Sequence, residues 1–336
     1  MTALSPFRLH RPQRLDDALA VLRDLASACR VLAGGTDLVV NLRHGLETPS
    51  NVLALARLDE LRGIELDSRG ELRIGALATI GTISRDARIA SRFPVLSRAA
   101  ASISGPTLRA MGTLGGNLCL DTRCHWYNQS WEWRRACGFC LKKDGDICHV
   151  ARSSPVCVAT SSGDLAPALL TLDAIVVLAS ARDGKRELPL ADFYVEDGTR
   201  KFDLREDELL TAVRVPAASA GQVGFYGKVR VRGAIDYALA GVAVAGRLAC
   251  DHTFERAAIA VTAVGPRPSR LREAETLLVG HTADDETIRA ATELVFRETT
   301  PLRTGGMYSP AYRRLRVRLL ARDGLRAIAE RDSAAT

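Results

Sequence analysis

Two glycine motifs frame the stretch that most constrains this chain. Gly112-Thr-Leu-Gly-Gly-Asn117 opens it and Gly163-Asp-Leu-Ala-Pro-Ala168 closes it. Within it lie six of the eight cysteines, Cys119, Cys124, Cys137, Cys140, Cys148 and Cys157, and all three tryptophans, Trp126, Trp131 and Trp133. A loop this long without secondary structure is uncommon in a compact domain unless something internal holds it. Four thiolates around a metal centre would do so.

The bulk numbers allow that reading. At 336 residues, 47% of them apolar and 25% charged, the chain can bury two or three domains' worth of core. No apolar run reaches the length of a membrane span. Met1 to His10 contains no apolar signal-peptide core, so a cytoplasmic protein is expected. In a reducing compartment, eight cysteines point to metal or redox use rather than disulfides. The +7 charge is dispersed and no nucleic-acid motif accompanies it, so DNA or RNA binding is not expected.

Periodicity gives a mixed series of elements. Arg14 to Leu25 has helical spacing, Arg30 to Ala33 is a short strand, and Leu38 to Arg43 is a helical turn. Between strand and turn stands Gly34-Gly35-Thr36-Asp37. Glycines before a helix start let backbone N–H groups approach an anion, although a tight βα turn without a ligand has the same sequence. Asn51 to Ala56 reads as a strand, 63–66 and 71–74 as a hairpin, and Thr79 to Ala90 and Phe93 to Ile103 as helices. Strands are expected over 174–178, 186–190, 209–216, 225–230, 238–248 and 257–264. Helices are expected over 270–279, 284–297 and 310–330, with an irregular link over 299–309 and a solvated Arg-rich face on the last helix.

Three motifs in order, Ala33-Gly-Gly-Thr-Asp37, Thr113-Leu-Gly-Gly-Asn117 and Gly163-Asp-Leu165, resemble the FAD-binding subunits of the molybdenum hydroxylases, the xanthine and carbon monoxide dehydrogenase family. The resemblance covers essentially the whole chain. It implies an α+β fold: a two-part FAD-binding domain of the molybdopterin dehydrogenase type, with a small α/β N-terminal subdomain and a larger mixed α/β subdomain, then a C-terminal α+β domain of antiparallel sheet and helices. The corresponding boundaries are 1–56, 57–216 with an insertion at 122–161, and 217–336. That insertion is similar to the one in the β subunits of the 4-hydroxybenzoyl-CoA reductases, where an extra [4Fe–4S] cluster sits. The shared stretches are Asn117-Leu-Cys119, Asp121-Thr-Arg-Cys124, Tyr127-Asn-Gln-Ser130, Cys140-Leu-Lys142 and Cys148-His-Val150.

The resemblance implies roles residue by residue. Val31, Leu32, Ala33, Gly34, Gly35, Thr36, Asp37 and Leu38 would wrap the FAD pyrophosphate. Ile103, Gly112, Thr113, Gly116 and Asn117 would form a second flavin-contacting segment. Asp164 would accept hydrogen bonds from the cofactor, Leu210 would pack on it, and Lys228 would lie near the isoalloxazine. Cys124, Cys140, Cys148 and Cys157 would ligate the cluster. Spacing alone favours Cys137, which forms a Cys-x-x-Cys pair with Cys140, as a ligand too, but the family pattern uses only Cys140 of the two and leaves Cys137 as a spectator or alternative ligand. Cys119 belongs to the flavin domain wall in this reading. Structural zinc is the competing metal, although such sites usually bring two short knuckles. The tryptophans and Phe139 are expected to pack the insert, or else to screen the cluster or meet a partner.

Two functions share these expectations. In the first, the chain passes electrons from reduced ferredoxin to a molybdenum-cofactor large subunit, with a small [2Fe–2S] subunit, in a dimer of heterotrimers that dehydroxylates 4-hydroxybenzoyl-CoA to benzoyl-CoA. In the second, the same subunit serves a hydroxylase that oxidises another aromatic or heterocyclic substrate. A third reading is a zinc-stabilised binding module without enzymatic function. No catalytic acid, base or nucleophile is assigned in this chain. The excess of basic residues in the insert, Lys142 and Lys143 among them, is a candidate docking patch for ferredoxin.

Overall fold

The computed structural model describes residues 4–305 and 308–333, so Gly306 and Met307 of the expected irregular link lie outside the described residues. The chain opens with β1 (Arg8–His10), α1 (Leu15–Leu25), β2 (Cys29–Leu32), α2 (Leu38–Arg43) and β3 (Asn51–Ala54). The three strands form a parallel sheet in the order β1-β3-β2. The first strand was not foreseen, because three residues carry no readable period. Helix α1 places Asp16 and Asp17 in its first turn, where the macrodipole favours them, and buries Ala18, Leu19 and Leu22.

The second layer holds β4 (Ile64–Leu66), β5 (Leu72–Gly75), α3 (Ile80–Arg85), α4 (Ala87–Arg92), α5 (Pro94–Ser102), α6 (Pro106–Met111), α7 (Leu114–Leu118), α8 (Trp131–Ala136), α9 (Leu165–Thr171), β6 (Ile175–Ser180), β7 (Gly184–Pro189), α10 (Leu190–Phe193) and β8 (Glu208–Val215). Its strands form an antiparallel sheet in the order β4-β5-β8-β6-β7. The single helix expected over 79–90 is two. Asp86 leaves the helical conformation and accepts from the backbone N–H groups of Arg88 and Ile89, starting α4 with an N-cap. The large core between this sheet and its helices includes Leu72, Phe93, Leu96, Leu165, Leu169 and Val213.

The last unit contains β9 (Val223–Val229), β10 (Ala240–Leu248), β11 (Phe254–Thr262), β12 (Ser269–Arg270), α11 (Arg272–Leu278), α12 (Asp285–Glu298) and α13 (Pro310–Ser333). Its antiparallel sheet runs β12-β11-β10-β9, and α13 packs along β10 and β9. The helix expected from Arg270 starts at Arg272 because Ser269 and Arg270 pair with Val261 and Ala260 instead. The expected solvated basic face of α13 is also corrected in part. Arg313 is buried and donates to the carbonyls of Leu239, Leu302 and Ala263, tying the helix to the sheet. The arrangement is the expected α+β one. No helix among the described residues is long and apolar enough to cross a membrane.

Candidate functional site

A cleft of about 520 Å³ opens where the glycine turn after β2, the start of α7, the start of α9, the first residues of β8 and the 235–237 loop meet. Val31, Ala33 to Leu38, Ile103, Gly112, Thr113, Gly116, Asn117, Asp164 and Leu210 all line it. Leu32 and Lys228 do not. Leu32 ends β2, and Lys228 reaches the cleft only through Asp164.

Local sequence explains the shape of the cleft. A Cβ on Gly34 would lie 1.9 Å from the Met111 carbonyl oxygen, so the two glycine motifs approach as only glycine allows. Gly35 has φ +75°, the left-handed conformation that turns the chain toward α2. Thr113 caps α7, its Oγ1 accepting from Gly116 N at 3.1 Å. Asn117 Oδ1 accepts from Leu165 N at 3.0 Å, joining the second motif to the third. The buried Ser162 hydroxyl faces this cleft and has no partner among the described residues. Close backbone approach, free N–H groups at a turn and an orphan hydroxyl fit a phosphate-bearing cofactor such as FAD.

Asp164 is the polar centre of the inner wall. Its Oδ1 accepts from Tyr226 Oη at 2.6 Å and its Oδ2 from Lys228 Nζ at 3.0 Å. Burial, then Asp164, pushes the Tyr226 hydroxyl well above its usual range, so it remains a donor. Sequence reasoning missed Tyr226, although its spacing of two from Lys228 on β9 places both on one face. It also missed Ser162, Glu208 and Tyr237, which line the cleft from separate elements. Cys119 lines it too, and burial raises its thiol to about 12.

The insert forms a second centre beside this cleft. Arg123 and Thr160 exchange both backbone hydrogen bonds at 2.8 Å and close its base. His125 N donates to Thr304 O, and Cys157 N to Asp197 Oδ1 at 3.2 Å. Cys124, Cys140, Cys148 and Cys157 are all buried, whereas Cys137 is half-buried at the end of α8. Burial first, then the neighbouring Cys157, Cys140 and Cys148, pushes the Cys124 thiol up to about 11. Cys124 and Cys157 share a small apolar cluster with Leu46, Tyr127 and Ala159. Among the described residues, no group of three or more His, Cys, Asp or Glu side chains is drawn close enough to hold a metal ion. One zinc ion would need sulfurs within about 2.3 Å of a common point. A four-iron cube binds each thiolate at a different corner and leaves the sulfurs farther apart.

Two expectations for the insert change. Lys142 is no surface docking residue. Its side chain is 7% exposed, and Nζ donates to Asp121 Oδ1 at 3.0 Å, Thr122 Oγ1 at 2.7 Å and Gly198 O at 2.7 Å. Lys201 also donates to Asp121, at 2.7 Å. The tryptophans divide: Trp126 stacks on His149 and meets Trp133, as packing residues do, while Trp131 is exposed under the Arg135 guanidinium.

Residues 5–218 match the family described as the FAD binding domain in molybdopterin dehydrogenase, and residues 225–328 match the CO dehydrogenase flavoprotein C-terminal domain. The chain is 30% identical over 293 residues to the xanthine dehydrogenase FAD-binding subunit of Escherichia coli O157:H7, covering 87% of this chain and 86% of that one. It is 28% identical over 288 residues to the carbon monoxide dehydrogenase medium chain of Hydrogenophaga pseudoflava, covering 85% of each. Its fold is similar to a chain of the Cu,Mo-CO dehydrogenase in its cyanide-inactivated form, with TM-score 0.81 and 25% identity over 98% of this chain and 100% of that one.

Proposed function

The chain belongs to the FAD-binding subunits of the molybdenum hydroxylase family, the xanthine and carbon monoxide dehydrogenase type, and from there we propose that it carries FAD and one [4Fe–4S] cluster as the electron-entry subunit of a 4-hydroxybenzoyl-CoA reductase. What supports the second cofactor is that Cys124, Cys140, Cys148 and Cys157 are all buried within the one insert, whereas Cys137 is half-buried. In this reading reduced ferredoxin donates electrons. A large subunit holds the molybdenum cofactor and a small one the [2Fe–2S] clusters, in a dimer of heterotrimers in the cytoplasm.

When bound, the flavin exchanges electrons singly or in pairs and the iron–sulfur cube passes them one at a time. This chain's residues supply binding and electrostatics. Backbone donors of the turn at Gly34 and Gly35 would hold the pyrophosphate, Ser162 would offer its hydroxyl, and Asp164 would present a carboxylate whose charge Lys228 already offsets. Trp126, Leu141 and Val150 pack against the apolar cluster that contains Cys124 and Cys157.

The test is an anaerobically purified chain assayed for flavin, iron, sulfide and zinc together. One flavin with about four irons and four sulfides is expected. Flavin with zinc and no sulfide would leave the family standing and remove the cluster. A second reading keeps the subunit and changes the reaction to oxidation of another substrate, which the names of the relatives favour, since they act on xanthine and carbon monoxide. Assay of the assembled complex with 4-hydroxybenzoyl-CoA and reduced ferredoxin separates the two. The binding module without enzymatic function is set aside by membership in an oxidoreductase family.

A further inference from the structure

We infer that Arg123 couples the cysteine insert to the flavin cleft, so that filling the cysteine nest with its metal centre tightens FAD binding. This role rests on the iron–sulfur reading above. Arg123 immediately precedes Cys124, and its backbone is fixed by the exchange of hydrogen bonds with Thr160 that closes the insert. Its side chain leaves the insert and crosses to the N-terminal unit. Nη2 donates to Asp37 Oδ1 at 2.5 Å and to Asn41 Oδ1 at 2.6 Å, and Nη1 donates to Asn128 Oδ1 at 3.2 Å. From the facing loop, Tyr237 Oη reaches the same Asp37 oxygen at 3.3 Å. The Arg123 and Asp37 side chains are 15% and 21% exposed, so solvent screens the pair poorly.

The charge on Asp37 makes this pair consequential. Asp37 ends the glycine turn assigned to the FAD pyrophosphate and lines the same cleft. A carboxylate there repels an incoming phosphate unless a cation neutralises it. Arg123 is that cation, and the insert decides where it points. The insert has its own ties, such as Arg134 to Asp144 and Trp126 to His149, but the two cysteines that share its apolar cluster, Cys124 and Cys157, flank the Arg123–Thr160 exchange, so a metal centre held by both would clamp the two strands that fix Arg123. An unfilled nest loosens the base, releases the guanidinium and leaves Asp37 uncompensated. Flavin is then held best by a chain whose onward electron path is already assembled. The coupling is a free-energy linkage, and it is therefore reciprocal.

The experiment is an FAD titration of the full chain, stripped of flavin and followed by flavin fluorescence, with iron and sulfide counted on each sample. Removing the metal centre by anaerobic chelation should weaken FAD about tenfold, inside the roughly 5- to 150-fold range of such couplings. Arg123→Met should weaken it similarly with iron in place, and metal removal should then add little, because the route is already cut. Arg123→Lys should recover part of the affinity. Adding Asp37→Asn to Arg123→Met should recover most of it, which a merely structural role for Arg123 would not produce. Unchanged affinity in Arg123→Met at full iron overturns the coupling alone, as does equal loss on metal removal in wild type and Arg123→Met. Flavin without iron or sulfide in the purified wild-type chain overturns the iron–sulfur reading and the coupling with it. Thermal unfolding of each variant confirms that it is folded before its affinity is compared.

Discussion

Lys228 Nζ stands 3.0 Å from Asp164 Oδ2, and the two side chains are only 4% and 7% exposed. The cation brought by β9 is therefore spent on a carboxylate before any cofactor arrives. Its influence on the cleft passes through Asp164, which Tyr226 also holds. Removing one partner of a buried pair leaves the other charge stranded. Lys228→Met is expected to destabilise the chain by about 3–5 kcal/mol, seen as a lower denaturant midpoint. Lys228→Met with Asp164→Asn should recover much of that loss. Equal midpoints for wild type and Lys228→Met would sink this account.

Gly34→Ala tests the contact between the glycine motifs. The added methyl would fall 1.9 Å from the Met111 carbonyl oxygen, so the turn must move away from α6. The expected result is a folded chain that retains little flavin on purification. Gly45→Ala is the control. Gly45, unlike Gly34, has positive φ, +66°, so Ala strains its own turn, but a Cβ there meets nothing within 4 Å and flavin content should stay normal. Full flavin content in Gly34→Ala would show that the two motifs need not touch.

The buried Asp121 predicts an acid limb in stability. Burial pushes its carboxyl upward, but Lys142 and Lys201 together outweigh burial and hold it below the ordinary range. With a depressed folded value, its contribution is complete above the ordinary pKa of about 3.9 and is lost as pH falls below it. Asp121→Asn should flatten that part of the stability curve and cost about 3–5 kcal/mol near pH 7. Superimposable acid limbs would refute it. Burial lowers the Lys142 ammonium more than Asp121 restores, so this group adds a rise in stability with pH below its ordinary value of about 10.4.

Because Lys142 is structural, the docking of ferredoxin is better tested at Lys143. Its side chain is 33% exposed and stands 3.8 Å from Asp144. Lys143→Glu should leave stability within about 0.5 kcal/mol and slow reduction by ferredoxin at low salt. Stopped-flow rates that match wild type at low and high salt would remove Lys143 from the docking surface.

The cysteines divide into two predicted classes. Ser in place of Cys124, Cys140, Cys148 or Cys157 should lower iron and sulfide, while Cys137→Ser should retain both. Iron analysis and the visible spectrum read the outcome. Loss of iron in Cys137→Ser would mean that the Cys-x-x-Cys pair serves as its spacing suggests.

Much of the fold was legible because hydrophobic period and turn chemistry are local. Strands such as Ile175–Ser180 and Glu208–Val215 announce themselves by apolar runs, and the glycine turns by residue type. What failed was short or conditional. Arg8–His10 is a strand only because Asn51–Ala54 lies beside it, and the expected helix over 79–90 breaks where one aspartate finds two backbone donors. Trp131, expected either to pack the insert or to screen the cluster or meet a partner, is largely exposed, and composition could not choose between these because it records apolarity and not direction.

The sequence by itself determined the glycine turns, the order of the elements and which cysteines could compete as ligands, since these depend on residue type and on spacing along the chain. Tertiary structure decided which charges are free. Arg123 and Asp37 are 86 residues apart in sequence, Lys228 and Asp164 are 64 apart, and Lys142 and Asp121 are 21 apart. A charged side chain carries the same letter whether solvated or buried in a pair. Only the fold, by excluding water and bringing distant segments within hydrogen-bonding reach, decides between those two states.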